Sequence, residues 1–423
     1  MNVNPPPATA ARQDAPRGRT LGTRGLAVML AALSMLGPFS IDTYLPAFPN
    51  IEATLHATPL EVQQTLTAYM FAFAVMILWH GALSDAFGRR RVILISLAVF
   101  SLTSLGCAAA GGVTSLWLFR VLQGMTAGAG VVIGRAIIRD LHAGPQASRL
   151  LSLVTMIFAI APAIAPILGG WIVKLYGWRV IFIALFLYTL ALMLCCLRYL
   201  PESLPPSQRR AFNPRWLYAS YLQVFRSPLF QLKAGIIAFN FAGMFLYVAA
   251  APVFLTRFLH LGPAQFGWQF IPLVSGIFCG ALFSNRLAGR IPIPRQVNVG
   301  FALLIGAGAC NVLYHAAFAP ALPWSVAPLF FYTFGMSMVA PGITLLVLDL
   351  FPQIRGISAA CQSFVQTMLG AVVAGVAAPV LAQSPLGLAG GQLACVLAAF
   401  AMWRSARARG AGTPFADAHA AGT

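Results

Sequence analysis

The sequence predicts an all-α polytopic membrane protein with twelve transmembrane helices in two pseudo-symmetric halves of six. Of its 423 residues, 59% are hydrophobic and only 9% are charged. About a quarter of the residues are charged in a soluble domain, so this chain cannot cover a water-facing surface. Its apolar runs of about 20 residues each have the length that crosses the roughly 30 Å hydrocarbon core of a bilayer as a helix.

One long polar gap, rich in proline and arginine, divides the apolar runs into two sets. The first set of predicted spans is 25–47, 60–82, 92–112, 115–136, 149–173 and 179–200. The second set is 229–255, 265–287, 297–317, 324–348, 356–382 and 387–404. Residues 201–228 are the predicted linker, and 1–24 and 405–423 are predicted polar tails. Two halves of six spans make a monomer sufficient for function.

The net charge of +18 suggests a nucleic-acid binder until the positions of the charges are considered. If the N-terminus is cytoplasmic, 23 of the 27 basic residues fall on the cytoplasmic side. Only Lys174, Arg179 and Arg257 are then external, and Arg120 lies within a span. Cytoplasmic loops carry such an excess of basic residues. The bias predicts a membrane protein with both termini in the cytoplasm and no nucleic-acid partner.

The cysteines and acids argue against a cofactor site or an enzyme. The seven cysteines lie in or beside apolar runs and form no CxxC pair, so neither a metal cluster nor a disulfide framework is predicted. The nine acids are scattered along the chain, about one per region, and suggest no paired general acid and base. A membrane enzyme or a non-transporting receptor is therefore the weaker alternative.

Two charged residues lie well inside predicted spans, away from the span ends, where an unpaired charge is costly and is a functional-site candidate. Asp42 stands in the first span and Arg120 in the fourth, at similar predicted depth. At 1.5 Å per helical residue, we expect Asp42 to lie about 6 Å from the far side of the membrane. The two residues could form a proton-coupling pair, with a static ion pair or an external helix cap as the structural alternatives.

The loop between spans 2 and 3 provides a family resemblance. It reads Gly81-Ala82-Leu83-Ser84-Asp85-Ala86-Phe87-Gly88-Arg89-Arg90-Arg91 and resembles the conserved loop of the major facilitator superfamily. The resemblance implies that Asp85 and the arginines latch the two halves at the cytoplasmic face. Asp85 would lie near the start of helix 11, at 356–358, where the helix dipole favours a carboxylate.

Further segments resemble the same superfamily. Arg120, Gln123 and Gly124 resemble its helix 4 motif, which the family associates with proton transfer. The segment with Pro162, Pro166, Gly169 and Gly170 resembles the helix 5 motif of antiporters, although Ala165 replaces the usual glycine before the second proline. The segments 41–46, 139–140 and 247–252 resemble the Bcr/CflA-type drug-resistance branch.

The resemblance implies a twelve-helix proton antiporter that exports small amphipathic drugs by alternating access, with the proton as coupling ion and no cofactor. An uptake symporter for a metabolite or sugar, with the same fold, is the alternative. Uncharged polar and aromatic residues within spans are the candidates for the substrate cavity, because a buried amide still needs a hydrogen-bond partner. These candidates are Tyr44, Asn240, Phe241, Tyr247, Gln362 and Gln366.

Overall fold

The computed structural model describes residues 22–209 and 211–410, and these residues form helices and connecting turns. Twelve helices within the described ranges are long and apolar enough to cross a membrane, which confirms the predicted fold class. Helices 1 to 6 are Thr23–Leu55, Pro59–Phe87, Arg89–Ala108, Val113–Leu141, Gln146–Tyr176 and Arg179–Tyr199. Helices 7 to 12 are Pro228–Phe258, Pro263–Leu287, Ile293–Ala317, Ala327–Leu348, Pro352–Leu381 and Pro385–Arg409.

The two sets of six helices pack with the same pattern of neighbours. In the first half, helix 2 packs on helix 4, helix 3 on helices 4 and 6, and helix 1 on helix 5. In the second half, helix 8 packs on helix 10, helix 9 on helices 10 and 12, and helix 7 on helix 11. Each pair in one half corresponds to a pair in the other, so the halves are pseudo-symmetric repeats.

Local sequence sets where several helices begin and bend. Thr58 and Glu61 form a reciprocal capping box before helix 2, with Pro59 in the first turn, where its missing N–H costs nothing. Helix 7 also has proline in its first turn, at Pro228, and the Ser227 hydroxyl caps it by accepting from the Phe230 N–H. Helix 4 is interrupted at Gly128, and helices 7 and 11 each contain a π-helical turn, at Phe254–Phe258 and Val373–Ala377.

Helix 1 is longer than the predicted span 25–47. Its first segment, Thr23–Asp42, is followed by a 3₁₀ turn at Leu45–Ala47 and by a second α-helical segment, Phe48–Leu55. Pro46 and Pro49 lie in the first turns of these two segments, where proline is compatible with a helix. The prolines therefore start new helical turns instead of ending the span.

We define two faces of the bundle by the chain segments that lie there. The linker face holds the start of helix 1 at Thr23, the linker 200–227 and the end of helix 12 at Arg409. The distal face holds the end of helix 1 at Leu55 and the turn around Gly262 that precedes helix 8.

An amphipathic helix, Pro214–Arg226, lies within the linker and was not predicted from the sequence. The Tyr221 hydroxyl donates a hydrogen bond to the backbone carbonyl of Leu78 in helix 2, and the Phe225 ring packs edge-on against Phe364 in helix 11. Burial raises the pKa of Tyr221 to about 12, so its hydroxyl keeps the donated proton near neutral pH. The linker helix therefore contacts both halves.

The two halves are joined by hydrogen bonds toward the distal face. The side-chain amide of Gln63 in helix 2 donates to the carbonyl of Ala374 at 2.9 Å, and Gln64 donates to the carbonyl of Gly375 at 3.0 Å. A longer contact, 3.5 Å, runs from Gln63 to the carbonyl of Ala249 in helix 7. Within the described ranges these two glutamines make every side-chain hydrogen bond between the halves, and we call them the distal gate.

Candidate functional site

A chain of buried polar groups crosses the first half at Arg120. The Nη1 of Arg120 donates to the Ser40 hydroxyl at 2.8 Å, to the Ser40 carbonyl at 3.2 Å and to Oε1 of Gln123 at 2.8 Å. Gln123 in turn donates to the Ser104 hydroxyl in helix 3 at 2.8 Å. Hydrogen bonds to a charged group are among the stronger ones in proteins. The network thus connects helices 1, 3 and 4 around one fully buried guanidinium.

Two tyrosine rings enclose the same guanidinium. The Arg120 Cζ lies 4.6 Å from the centroid of the Tyr44 ring and 4.1 Å from that of Tyr69, distances typical of cation–π contacts. Tyr44 and Thr65 are hydrogen-bonded through their hydroxyls at 2.7 Å. Gly124 follows Arg120 by one turn, and a Cβ there would overlap the backbone carbonyl of Tyr69. Glycine therefore allows helices 2 and 4 to approach closely enough for the Tyr69 ring to cover Arg120.

The predicted direct pair between Asp42 and Arg120 is not observed. No ion pair of Asp42 is present among the described residues, although its side chain is only 6% exposed. Ser40 contacts Arg120 instead, and side chains two positions apart point to opposite sides of a helix. The expected similarity in depth holds, because Ser40 and Asp42 lie within one turn of helix 1.

Asp42 also lies deeper than predicted. Helix 1 continues from Asp42 to Leu55, which places the distal end of the span roughly 20 Å beyond the carboxylate at 1.5 Å per residue. The same continuation brings a second carboxylate, Glu52, into helix 1. Helix 1 therefore contains two acids, Asp42 and Glu52, whereas the predicted span 25–47 contains Asp42 alone.

A second polar network lies in the other half. Asn311 in helix 9 donates to the Tyr247 hydroxyl at 2.8 Å and to Oε1 of Gln392 at 2.9 Å. Gln269 in helix 8 donates to the Tyr247 carbonyl at 2.7 Å. Tyr44 and Tyr247 are both fully buried, and the aromatic contacts of their rings, with Phe48 and Phe182 and with Phe254, lie within their own halves. The prediction that these two tyrosines line a substrate cavity is not supported in this conformation.

The other cavity candidates lie on helices 7 and 11. Asn240 is 2% exposed, and neither atom of its amide has a hydrogen-bond partner in the described part of the chain. Gln362 donates to the Thr344 hydroxyl at 3.0 Å, while its own oxygen has no partner there. Phe241 stacks on Phe245, and Gln366 is half-buried one turn after Gln362.

Phe241 also lies where the halves meet. A Cβ on Gly370 of helix 11 would be 3.1 Å from the Phe241 ring and 3.0 Å from the methyl group of Met70 in helix 2. Side chains of both halves therefore meet at Gly370, one to two turns before the distal gate on helix 11. Asn240 precedes Phe241 directly, so an unsatisfied amide lies next to this contact.

The loop that resembles the superfamily motif forms a charged cluster at the linker face. Arg89 pairs with Asp85 one turn earlier, and its Nε lies 3.2 Å from Oδ2 of Asp140 in helix 4. Its Nη1 donates to the Ser84 hydroxyl at 2.6 Å, and its backbone N–H donates to Glu202 at 2.9 Å. The acids are thus less scattered than the sequence suggests, because three of them meet around one arginine.

The remaining loop residues support this cluster. Gly88 has φ +97°, a conformation that favours glycine, and a Cβ there would lie 2.5 Å from Oε2 of Glu202. Arg90 donates to the carbonyl of Leu197 at 2.8 Å, and the carbonyl of Gly81 accepts from Ser84. The pairing of Asp85 with Arg89 keeps its carboxylate within the first half. No hydrogen bond or ion pair joins it to residues 356–358 in the described chain, and the latch between the halves stays a prediction.

The helix 5 segment provides close contacts. Pro162 and Pro166 lie inside a continuous helix, Gly144–Tyr176, which they do not interrupt. A Cβ on Gly169 would overlap the backbone of Thr43 in helix 1, and one on Gly170 would overlap the carbonyl of Pro263 at the start of helix 8. The two glycines therefore let helix 5 pack tightly against both halves, since small residues permit close backbone approach.

Several residues of the site were not predicted from the sequence. They are Ser40, Thr65, Ser104 and the gate residues Gln63 and Gln64. Each is a polar residue within an apolar run, which is a usable signal. Serine and threonine are common in membrane helices, however, so the signal does not distinguish network members from isolated hydroxyls.

Comparison with known proteins identifies the family. The model of the Major Facilitator Superfamily matches residues 30–379. The chain belongs to the major facilitator superfamily. It is a multi-pass membrane transporter and not an enzyme, as the sequence predicts. This membership also confirms the family resemblance drawn from residues 81–91.

Among curated relatives, the chain is 31% identical over 350 residues to the uncharacterized MFS-type transporter YdgK of Bacillus subtilis, covering 82% of this chain and 87% of the relative. It is 27% identical to the bicyclomycin resistance protein homolog of Haemophilus influenzae, covering 81% and 86%. It is also 27% identical to multidrug resistance protein D of Escherichia coli, covering 86% and 91%. These relatives agree with the Bcr/CflA-type branch.

Solved structures show the same fold. A human organic anion transporter superposes with a TM-score of 0.68 at 17% identity, covering 90% of this chain and all of that one. A bacterial homolog of the human lysosomal transporter Spinster, in an inward-facing and unoccupied conformation, gives 0.67 at 15% identity, covering 91% and 97%.

Proposed function

We propose that this transporter exports small amphipathic drugs or toxic compounds across a bacterial inner membrane in exchange for protons. The observation that carries the proposal is Asp42, a buried carboxylate without an ion-pair partner in the described residues, beside the Arg120 network. Buried ionisable residues in membrane helices mark proton and ion pathways. The drug-resistance names of two relatives support export of drugs.

The orientation follows from charge. Lys174, Arg179 and Arg257 lie at the distal face, whereas the basic loops between helices 2 and 3 and between helices 8 and 9 lie at the linker face. Basic loops stay in the cytoplasm. The linker face is then cytoplasmic, as are both termini, and the distal gate closes the external face in this conformation. Two complete halves in one chain favour a functional monomer.

Coupling would act through helix 1. With Asp42 deprotonated, its charge attracts Arg120 across the helix in a medium of low dielectric constant, where such attraction is strong. Protonation from outside removes that attraction and leaves Arg120 held by Ser40 and Gln123. The two charge states therefore favour different positions of helix 1 against helices 3 and 4. A membrane potential contributes about 2.3 kcal/mol per charge per 100 mV to the cycle.

Drug transport into inside-out vesicles tests the proposal. We expect an imposed proton gradient to drive uptake by the wild-type chain, and Asp42→Asn to lose that dependence while still binding drug. The matched control is Asp349→Asn, because Asp349 is an exposed acid at the linker face. Undiminished gradient-driven transport by Asp42→Asn would disprove the role of Asp42.

An uptake symporter remains the second candidate. The polar amides of Asn240, Gln362 and Gln366 would also suit a sugar or a polar metabolite. The same vesicles distinguish the two, because a symporter moves substrate and protons in one direction and an antiporter in opposite directions. Co-directional proton and substrate movement would replace the export proposal with the symport one.

A further inference from the structure

A cavity of about 510 Å³ lies at the distal face, above the distal gate. Residues of both halves form its walls, and we call it the distal vestibule. Glu52, Leu60 and Gln63 of the first half and Val253, Arg257 and Pro379 of the second are among its lining residues. Gln63 makes the gate bonds to helices 7 and 11, so the vestibule is bounded by the same contact that closes the protein at this face.

The vestibule has one charge of each sign, and each belongs to a different half. Glu52 is a half-buried carboxylate on the continuation of helix 1, and Arg257 is an exposed guanidinium in the π-helical turn of helix 7. No ion pair joins them in residues 22–209 and 211–410. Alanine, proline, leucine and valine make up most of the remaining lining.

This arrangement defines the ligand by its chemistry. Pockets that bind small molecules combine a mostly apolar lining with a few placed polar groups. An ammonium group suits Glu52, a carboxylate suits Arg257, and charge-assisted hydrogen bonds of this kind are strong. We propose that the distal vestibule binds zwitterionic amphiphiles, with an apolar body between the two charged ends, and that binding holds the distal gate closed.

The effect on the gate follows from the position of the walls. Opening the distal face moves the halves apart there, and a ligand that contacts Glu52 and Arg257 together loses one contact when they separate. A ligand shifts a conformational equilibrium toward the state that it binds better. The ligand therefore inhibits transport from the outside. This second claim rests on the alternating access proposed above, whereas binding itself does not.

The dipeptide Phe-Phe is a suitable probe, because it has a free ammonium group, a free carboxylate and an apolar body. Its N-acetylated, C-amidated form lacks both charges. Binding to the purified full chain in nanodiscs is measured by calorimetry. We expect Phe-Phe to bind and the capped form to bind at least about tenfold more weakly, as expected for the loss of about 1.4 kcal/mol.

Two single substitutions and one double substitution test the assignment of the charges. We expect Glu52→Gln and Arg257→Gln each to weaken Phe-Phe binding about tenfold or more. Lys174→Gln is the matched control, because Lys174 is an exposed cation at the same face and does not line the vestibule. The double variant Glu52→Arg with Arg257→Glu restores one charge of each sign and should recover binding.

Two measurements separate the site from its effect. Phe-Phe binding that survives both single substitutions would overturn the site. Charge-dependent binding that leaves both transport and the distance between labels at the distal face unchanged would overturn the closure of the gate. Failure of proton coupling in Asp42→Asn would leave the binding result and the label distances intact, since neither measurement needs a proton gradient.

Discussion

The distal gate allows a quantitative prediction, because its hydrogen bonds join the two halves. Replacing Gln63 and Gln64 together with alanine removes the bonds to Ala374 at 2.9 Å and to Gly375 at 3.0 Å. Each such bond contributes a net 0.5–1.5 kcal/mol, or about 1–3 kcal/mol for the pair. Because about 1.4 kcal/mol corresponds to a tenfold change in an equilibrium constant, the loss shifts the ratio of closed to open distal states by about 5- to 150-fold toward the open state.

Pulsed EPR between labels at Asn50 and Ser384, exposed positions on opposite halves of the distal face, measures this shift. We expect a longer-distance population to grow in the double variant. Gln296→Ala is the matched control, since Gln296 and Gln63 are both 8% exposed. Gln296 makes its two bonds, to Ser284 and to the carbonyl of Met338, inside the second half. An unchanged distance distribution in the gate variant, or an equal change in the control, would refute the reasoning.

Three further variants test the packing around the site. Arg120→Lys keeps the charge but loses the planar contact with both tyrosine rings, which contributes about 0.5–2 kcal/mol for each ring. We expect a lower melting temperature and slower transport, and unchanged values would contradict a stabilising contact between the guanidinium and the rings. Gly124→Val forces helices 2 and 4 apart and should cost about 1–3 kcal/mol, measured by thermal unfolding, whereas Gly306→Val, which has open space for a Cβ, should cost much less. Tyr221→Phe removes the hydrogen bond to the Leu78 carbonyl, which contributes about 0.5–1.5 kcal/mol, and should speed hydrogen exchange of the amides in 214–226. Equal exchange rates in the variant and the wild type would show that this bond does not hold the linker helix in place.

The helix count and the halves could be predicted because hydropathy and charge are local properties of the chain. The continuation of helix 1 beyond Pro46 could not, since a proline in a first turn looks the same in sequence as a proline that ends a helix. The linker helix was missed for a similar reason. Its buried residues form one narrow stripe, at Leu217, Ser220 and Val224, while the aromatic residues Trp216 and Tyr218 are exposed, so the sequence shows no clear apolar face.

The partners of charged residues depended on three-dimensional packing. Sequence spacing placed Gln123 beside Arg120, one turn later on the same helix. It did not determine which side of helix 1 faces Arg120, and a rotation by two positions exchanges Ser40 for Asp42. Likewise, Asp85, Asp140 and Glu202 are far apart in the chain, and only the packing of helices 2 and 4 and the linker brings them to Arg89.

The distal gate uses backbone carbonyls of helix 11 as its acceptors, at Ala374 and Gly375 in the π-helical turn. A backbone carbonyl is present whatever side chain the residue has. Substitutions on helix 11 that leave the backbone in place can therefore alter the surface around Gln362 and Gln366 while the gate keeps its acceptors. Under the proposed function, in which Gln362 and Gln366 line the substrate cavity, the transported compound and the closed state can thus change separately, with the gate depending on two glutamines of helix 2.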